Sequence, residues 1–370
     1  MKLAIIQDQL LTEAGSERVF LYMAQEFREA DIITLAYNPA TTWPEFRDFH
    51  IRTSWLNRFI QTHRRFKQVF PLSTRVMQHW DLNQYDVILS SSATTAKYIR
   101  NHRARHICYC YYPTRAIWNF GSYFDGARPG FSERIFRHTL EYMKRRDREA
   151  AACVDRFIAI SESSRQAIRT FYNRDAEVLF SPIDVDRFVA GATMPKTDRY
   201  LMVGRLERWK RTDLAIEAFN QLGLPLDIIG TGPEEGSLRA AAGPNIRFLG
   251  RADDATLVRA YGSARAVVYT PELEYGLVPL EAAAAGTPVI ALGRGGILET
   301  MIGPNDAARR PATAVFFDEQ TPESLMRAIR QFEAIEFRKG DLMARAASFG
   351  ISEFRRRLRA IVTSEMAKVA

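Results

Sequence analysis

Short apolar runs recur along this chain, and most are followed by a turn-forming loop and then by a helical pattern. The first run is Lys2 to Gln7. The loop Glu13-Ala14-Gly15-Ser16-Glu17 comes next, and Val19, Phe20, Met23, Ala24 and Phe27 then repeat at helical spacing. Residues 31–35, 87–89, 106–110 and 157–160 read as further buried strands with helical segments between them. Strands and helices that alternate in this way form a parallel sheet, because each helix returns the chain to the end where the previous strand began. Such a sheet is covered on both faces.

A composition break follows. Ser181-Pro182-Ile183-Asp184-Val185-Asp186 leads into Gly191-Ala192-Thr193-Met194-Pro195-Lys196-Thr197-Asp198, a proline, glycine and polar stretch that reads as a linker. A second alternation then begins, with strands at 200–203, 226–229, 246–249, 266–269 and 289–291 and helices at 212–222, 234–242, 255–263 and 278–285. A length of 370 residues suits two domains at roughly 150 residues each. The expected class is α/β, with two doubly wound, Rossmann-like domains, 1–185 and 199–348, joined by 186–198 and followed by a terminal segment, 349–370. Ligands of such sheets bind outside the carboxyl ends of the strands, so two facing domains are expected to hold them in an interdomain cleft.

Apolar residues make up 46% and charged residues 25%, so the chain has material for two cores without disulfide staples. Cys108, Cys110 and Cys153 form no CxxC pair and no zinc spacing, which suits a reducing compartment. The first apolar run is too short for a signal peptide, and no stretch approaches the ~20 apolar residues of a membrane span. The protein therefore reads as cytoplasmic. Fifty-one basic against 43 acidic residues leave +8, a balance that favours polyanionic partners. No nucleic-acid motif accompanies that charge, so phosphorylated small molecules or an anionic membrane face are the expected partners.

Three glycine-bearing strand-to-helix junctions are candidate binding sites. The first holds Gly15. The second, Gly204-Arg205-Leu206-Glu207-Arg208-Trp209-Lys210-Arg211, directly follows the strand 200–203. The third, Glu272-Leu273-Glu274-Tyr275-Gly276-Leu277, opens the helix that carries Glu281. None is a GxGxxG or GxxxxGK[ST] motif, which removes the usual support for a nicotinamide enzyme or a P-loop ATPase. In the second junction the glycine permits a tight turn, and Arg205 and Lys210 converge on a strand end in a way that suits a diphosphate. The plain alternative is a solvated basic face. In the third, the N–H groups of Gly276, Leu277 and Val278 lie at a helix N-terminus, which favours an anion. Glu281, one turn further on, lies on a face that can accept hydrogen bonds from ribose hydroxyls, and the plain alternative is a surface or cap-proximal carboxylate, the commoner fate of a glutamate. Asp184-Val185-Asp186 matches a metal–nucleotide pattern but lies where aspartates commonly start turns. The histidines show no ligand spacing, and no metal site is expected.

Together these segments resemble the family-4 retaining glycosyltransferases, two-domain enzymes of the GT-B fold, and among them the bacterial polysaccharide mannosyltransferases. Gly204-Arg205-Leu206 with Lys210 is similar to their phosphate-binding motif. Gly230-Thr231-Gly232-Pro233-Glu234 resembles the turn on the nucleobase side. Gly276-Leu277-Val278-Pro279-Leu280-Glu281 through Ala285-Gly286-Thr287-Pro288 is similar to their nucleotide-sugar signature. Gly15-Ser16-Glu17-Arg18-Val19, Ser90-Ser91-Ser92 and the segments 109–115 and 155–161 have counterparts as well. The resemblance implies that Arg205 and Lys210 bind the donor diphosphate and stabilise the leaving group in place of a metal ion, with no cofactor. It implies that Gly204 and Gly276 to Val278 hold the same phosphates and that Glu281 binds the ribose. Gly232 and Arg251 would lie near the base, and Gly15 would let its loop approach the transferred sugar. Fixed positive charge at the leaving group is usually the largest electrostatic contribution such a site offers.

Two positions depart from the family pattern. Its members carry two glutamates separated by seven residues, and counting back from Glu281 puts the first at Leu273. Glu272 and Glu274 flank that position and are the candidates to contact the donor sugar. Tyr111 stands where similar sequences carry a histidine at the reaction centre, and a tyrosine hydrogen-bonds but is a poor base near neutral pH.

Two basic amphipathic segments bear on partners. Trp55, Leu56, Phe59, Ile60, Phe66 and Phe70 lie among Arg58, Arg64, Arg65 and Lys67. That pattern suits a helix packed on the sheet, and also one lying on an anionic leaflet. Ile351, Phe354, Leu358, Ile361 and Val362 form an apolar stripe beside Arg355, Arg356, Arg357 and Arg359. The resemblance implies that this helix packs back toward the N-terminal domain. The expected function is transfer of a hexose, from GDP-mannose or a similar sugar nucleotide, to a saccharide or lipid-linked saccharide acceptor in surface polysaccharide or lipopolysaccharide synthesis. The alternative is a nucleotide-sugar-binding scaffold that no longer transfers.

Overall fold

The computed structural model describes residues 1–100, 103–119, 133–306 and 311–369. The chain divides into unit 1, Met1–Phe180 with Phe354–Ala370, and unit 2, Ser181–Glu353. Unit 1 is built on seven parallel strands: β1 (Leu3–Gln7), β2 (Asp31–Thr34), β3 (Ile51–Thr53), β4 (Val87–Ser92), β5 (Arg105–Cys110), β6 (Arg156–Ala159) and β7 (Ala176–Val178). Their order is β3-β2-β1-β4-β5-β6-β7. Unit 2 has six: β8 (Tyr200–Val203), β9 (Leu226–Ile229), β10 (Ile246–Gly250), β11 (Val267–Tyr269), β12 (Val289–Leu292) and β13 (Ala314–Phe317), in the order β10-β9-β8-β11-β12-β13. Both sheets are doubly wound. Each turns about its first strand, β1 pairing with β2 and β4, and β8 with β9 and β11.

The central strands are buried on both faces, which is why they read as unbroken apolar runs: Ala4, Ile5 and Ile6 in β1, and Val289 to Leu292 in β12, are 0% exposed. The strands that periodicity does not reveal, β3, β7 and β13, are all sheet edges. β3 is half-buried at every position, and β7 buries only Ala176. β13 is apolar but too short for periodicity to separate it from a helical segment.

The stretch 186–198, expected as a linker, carries ordered structure in unit 2. A helix, Val185–Val189, starts at Asp184, whose Oδ1 accepts the Arg187 N–H at 3.2 Å. Asp184 is thus a helix cap. Phe188 is buried against Tyr261, with ring centroids 5.6 Å apart. The last helix, Ile351–Met366, buries Phe354, Leu358, Ile361 and Val362, and from Phe354 onward it belongs to unit 1. Phe354 meets Tyr109 edge to face, and Arg105 and Arg156 pair with the buried Glu365 at 2.8 and 3.2 Å. Of the amphipathic stretch, Leu56, Ile60 and Phe66 join the core of unit 1, whereas Trp55 and Phe59 are 58% and 62% exposed. No helix among the described residues is long and apolar enough to cross a membrane.

One buried ion pair ties four helical segments of unit 1 together. Asp147, on the helix Glu133–Ala152, takes Tyr98 O–H at 2.6 Å, Thr114 O–H at 3.0 Å and the Lys97 ammonium at 3.1 Å on Oδ1. Its Oδ2 accepts from Trp118 Nε1 and the Tyr172 hydroxyl, each at 2.6 Å. Lys97 spends further protons on the Thr94 carbonyl and on Thr114 Oγ1. Burial alone would push the Asp147 carboxyl up, but Lys97 and the hydrogen bonds hold it below its ordinary value. A buried charge that loses its partner is costly. Asp147→Ala is therefore expected to destabilise unit 1 by about 3–5 kcal/mol, measured by thermal unfolding. Adding Lys97→Met should recover part of the loss. An Asp147→Ala protein as stable as its parent would contradict this role.

Candidate functional site

Where neighbouring strands send their crossovers to opposite faces, the loops after them part and leave a crevice at the carboxyl ends. In unit 1 this point lies between β1 and β4, and the protein's own carboxylate fills it. Asp8, just past β1, accepts the N–H groups of Ala93 and Thr94 on Oδ2 at 2.7 and 2.9 Å, and those of Thr95 and Ala96 on Oδ1 at 2.7 and 2.6 Å. In unit 2 the equivalent point, between β8 and β11, is a pocket lined by Gly204, Arg205, Lys210, Thr212, Tyr269 and Pro271.

Backbone contacts set the shape of that pocket. The loop after β8 lies directly on the loop after β9: Gly204 N donates to Ile229 O and Leu206 N to Thr231 O, both at 3.0 Å. A Cβ at Gly230 would stand 1.9 Å from the Gly204 carbonyl oxygen, and one at Gly232 would stand 2.3 Å from that of Leu206. The glycines of 230–232 are therefore required by close approach. Gly230 N donates in turn to Gly250 O at 2.8 Å, which fixes the exposed Arg251 at the end of β10, two strands from β8.

Arg205 is 60% exposed and pairs with Glu207 at 2.7 Å. Lys210 ends a short 3-10 turn, Arg208–Lys210, with its ammonium 4.5 Å from the Trp209 ring centroid and 5.8 Å from that of Tyr269. Its carbonyl accepts Thr270 O–H at 2.6 Å. Arg211, next in the chain, holds φ +53°, a left-handed conformation that a non-glycine residue adopts at some cost. The Tyr269 hydroxyl reaches the third junction, since a Cβ on Gly276 would stand 2.4 Å from it. Tyr269 thus lies between Lys210 and the N-terminus of the helix Leu277–Ala284.

The acidic loop before that helix rests on the glycines of 293–296. Gly296 N donates to Leu273 O at 2.8 Å, and a Cβ at 296 would fall 1.9 Å from Glu274 O. Leu273 contributes through its backbone, with Glu272 exposed and Glu274 half-buried on either side. Glu281 accepts the Tyr261 hydroxyl at 2.7 Å. Burial, reinforced by Glu281, pushes the Tyr261 phenol well above 10 and keeps it a donor.

In unit 1, Gly15 opens the helix Gly15–Glu26, and Tyr111 donates to the carbonyl of Ser16 at 3.0 Å while lying 3.1 Å from Ser91 Oγ. Burial pushes the Tyr111 phenol well above 10, with Tyr109, Glu17 and Asp8 adding to the shift. Its hydroxyl therefore stays protonated and anchors the loop of Gly15. Glu17, which no spacing argument singles out, is 2% exposed and accepts from Ser16 Oγ at 2.7 Å and Thr12 Oγ1 at 3.1 Å. Tyr261 and Tyr269 also escape sequence reasoning, because each acts on a residue that only the fold brings near.

Residues 14–187 match the family described as Glycosyltransferase Family 4, and residues 186–349 match Glycosyl transferases group 1. Alpha-1,3/1,6-mannosyltransferase ALG2 of Homo sapiens is 25% identical over 338 residues, 78% of each chain. Sucrose-phosphate synthase from Thermosynechococcus elongatus has a TM-score of 0.75 at 16% identity, over 100% of both chains. Anabaena Alr3699/HepE, solved with UDP-glucose, has a TM-score of 0.69 at 17% identity, over 98% of this chain and 100% of that one. These two structures are alike in fold.

Burial pushes the Glu17 carboxyl from its ordinary 4.5 up to about 7, against the opposing hydrogen bonds of Ser16 and Thr12. A raised carboxyl favours folding while it is protonated, and that contribution is lost as pH rises through about 7. The loss amounts to ~3 kcal/mol at most. Glu17→Gln carries no charge at any pH, so its Tm relative to the parent is expected to be higher near pH 8 than near pH 5. A Tm difference that does not change with pH would refute the assignment.

Proposed function

The chain belongs to the family-4 glycosyltransferases, hexosyltransferases of the GT-B fold, and we propose that it moves mannose from GDP-mannose or a similar sugar nucleotide to a saccharide or lipid-linked saccharide. On this reading the configuration is retained and the reaction, a step of surface polysaccharide synthesis, runs in the cytoplasm at the inner membrane face. The observation that carries it is the meeting of Gly204, Arg205 and Lys210 in one crevice pocket. Mannose is supported by the likeness to a human mannosyltransferase.

In the transfer, the bond from the anomeric carbon to the diphosphate oxygen breaks while the acceptor oxygen bonds to the same carbon, and the acceptor's hydroxyl proton passes to the departing diphosphate oxygen. Negative charge grows on the diphosphate, and Arg205, Lys210 and the N–H groups from Gly276 to Val278 are the groups that meet it. No metal ion is called for in this scheme. Arg205 exchanges its pair with Glu207 for the phosphate, and an exposed pair of that kind is worth ~1 kcal/mol or less, so the exchange costs little. Glu281, oriented by Tyr261, takes the ribose hydroxyls, and Gly232 with Arg251 borders the base. Glu272 and Glu274 are the carboxylates nearest the place of the family's first glutamate. Leu273 at that place favours the second reading, a scaffold that binds the nucleotide without transferring the sugar.

Thermal unfolding with GDP-, UDP-, dTDP- and ADP-sugars, in the presence of a chelator, tests the donor assignment. A donor at a hundred times its Kd stabilises the native state by about 2.7 kcal/mol. The expected result is a raised Tm with a GDP-sugar that disappears in Arg205→Ala. No response to any of the four would sink the assignment, and stabilisation without turnover would favour the scaffold.

A further inference from the structure

A second pocket, of about 700 Å³, opens on unit 1 at the edge strand β3 and is lined by Arg52, Trp55, Arg75, His79, Trp80 and Asp81. It lies in an unusual stretch of sequence. From Phe49 to Trp80 there is no aspartate or glutamate, while Arg52, Arg58, Arg64, Arg65, Lys67 and Arg75 supply six positive charges against +8 for the whole chain. Three of the six histidines, His50, His63 and His79, fall there too. Apolar side chains project among these charges: Trp55 is 58% exposed, Phe59 62% and Leu72 41%. The core is already served by Leu56, Ile60, Phe66 and Met77 from the same segments, and the outward set is not part of it.

We propose that this face docks on an anionic lipid bilayer, with a phosphate headgroup held in the pocket by Arg52 and Arg75 and with Trp55, Phe59 and Leu72 entering the interface. Basic residues near an anionic leaflet, interleaved with aromatic and aliphatic anchors, are the pattern that lies on membranes. The polar groups of the pocket are pre-oriented. Arg52 Nη1 donates to the Tyr85 hydroxyl at 2.8 Å, and that hydroxyl donates to Asp31. The His79 ring nitrogen Nδ1 donates to the Arg75 carbonyl at 2.8 Å, which fixes the ring at the pocket wall. Asp81, the acid on the rim, is engaged by its own turn through Asn83.

The geometry favours lipid over a glycan or a nucleic acid. Trp55 and Phe59 meet edge to face at 79°, so they do not form a flat stacking platform. Leu72 has no face on which a base or a sugar stacks, and a neutral glycan makes no use of six cations. The inference rests on the transferase reading only in that it places a lipid-linked acceptor beside the enzyme.

Co-sedimentation of the full chain with vesicles tests it without reference to donor or turnover. Binding is expected to equimolar phosphatidylcholine and phosphatidylglycerol, not to phosphatidylcholine alone, and to weaken with salt. Arg75→Ala and Trp55→Ala, both at exposed positions, should each weaken it about tenfold. Arg327→Ala, an equal loss of charge on unit 2, should leave it unchanged. All three variants should unfold at the Tm of the parent, which shows that they fold. Absence of binding to the anionic vesicles would overturn the proposal, as would unchanged binding by Arg75→Ala. Quenching of tryptophan fluorescence by a soluble oligosaccharide or oligonucleotide, without vesicles and lost in Trp55→Ala, would overturn it in favour of another occupant.

Discussion

Both halves of this protein depend on how a parallel sheet is wound. A sheet that grows outward from its first strand in both directions must send its crossovers to opposite faces, and the loops after two central strands then part. The parting at β1 and β4, and again at β8 and β11, brings charged groups of the chain to the carboxyl ends of buried strands. Elsewhere those strands are closed by apolar packing on both faces.

The two crevices share a geometry and use it in opposite ways. In unit 1 four peptide N–H groups face inward, an arrangement suited to an anion, and Asp8 supplies that anion from within the chain. In unit 2 the corresponding lining is cationic, with Arg205 and Lys210 on one side and the helix beginning at Leu277 near Tyr269 on the other. One sheet is internally neutralised at its switch point, and the other presents charge that an incoming diphosphate can meet. The two units differ at this point in charge rather than in fold.

Polar groups buried in unit 1 serve order. The Lys97–Asp147 pair satisfies nearly every hydrogen bond its members can make, and it joins segments that share no strand. Glu17 and Tyr111 act on a smaller scale, clamping the loop of Gly15 through Thr12, Ser16 and Ser91. Such networks specify one arrangement because every alternative leaves a polar group unpaired in a low-dielectric interior.

The sequence by itself determined the strands buried on both faces, since a continuous apolar run cannot be placed otherwise. It also determined where Gly204, Arg205, Lys210, Gly276 and Glu281 would stand, because each follows directly from a strand end or a helix start. The edge strands β3 and β7 were not legible, for a half-buried strand of three residues leaves no pattern. Only the tertiary structure decided that Tyr261 orients Glu281 and that Tyr269 lies beside both Lys210 and Gly276. It alone decided that Asp8 meets residues 93–96 and that the segment 186–198 is folded rather than extended. The physical reason is range. Burial and backbone conformation leave a mark on neighbouring residues, whereas hydrogen bonds and ion pairs act through space between positions tens of residues apart.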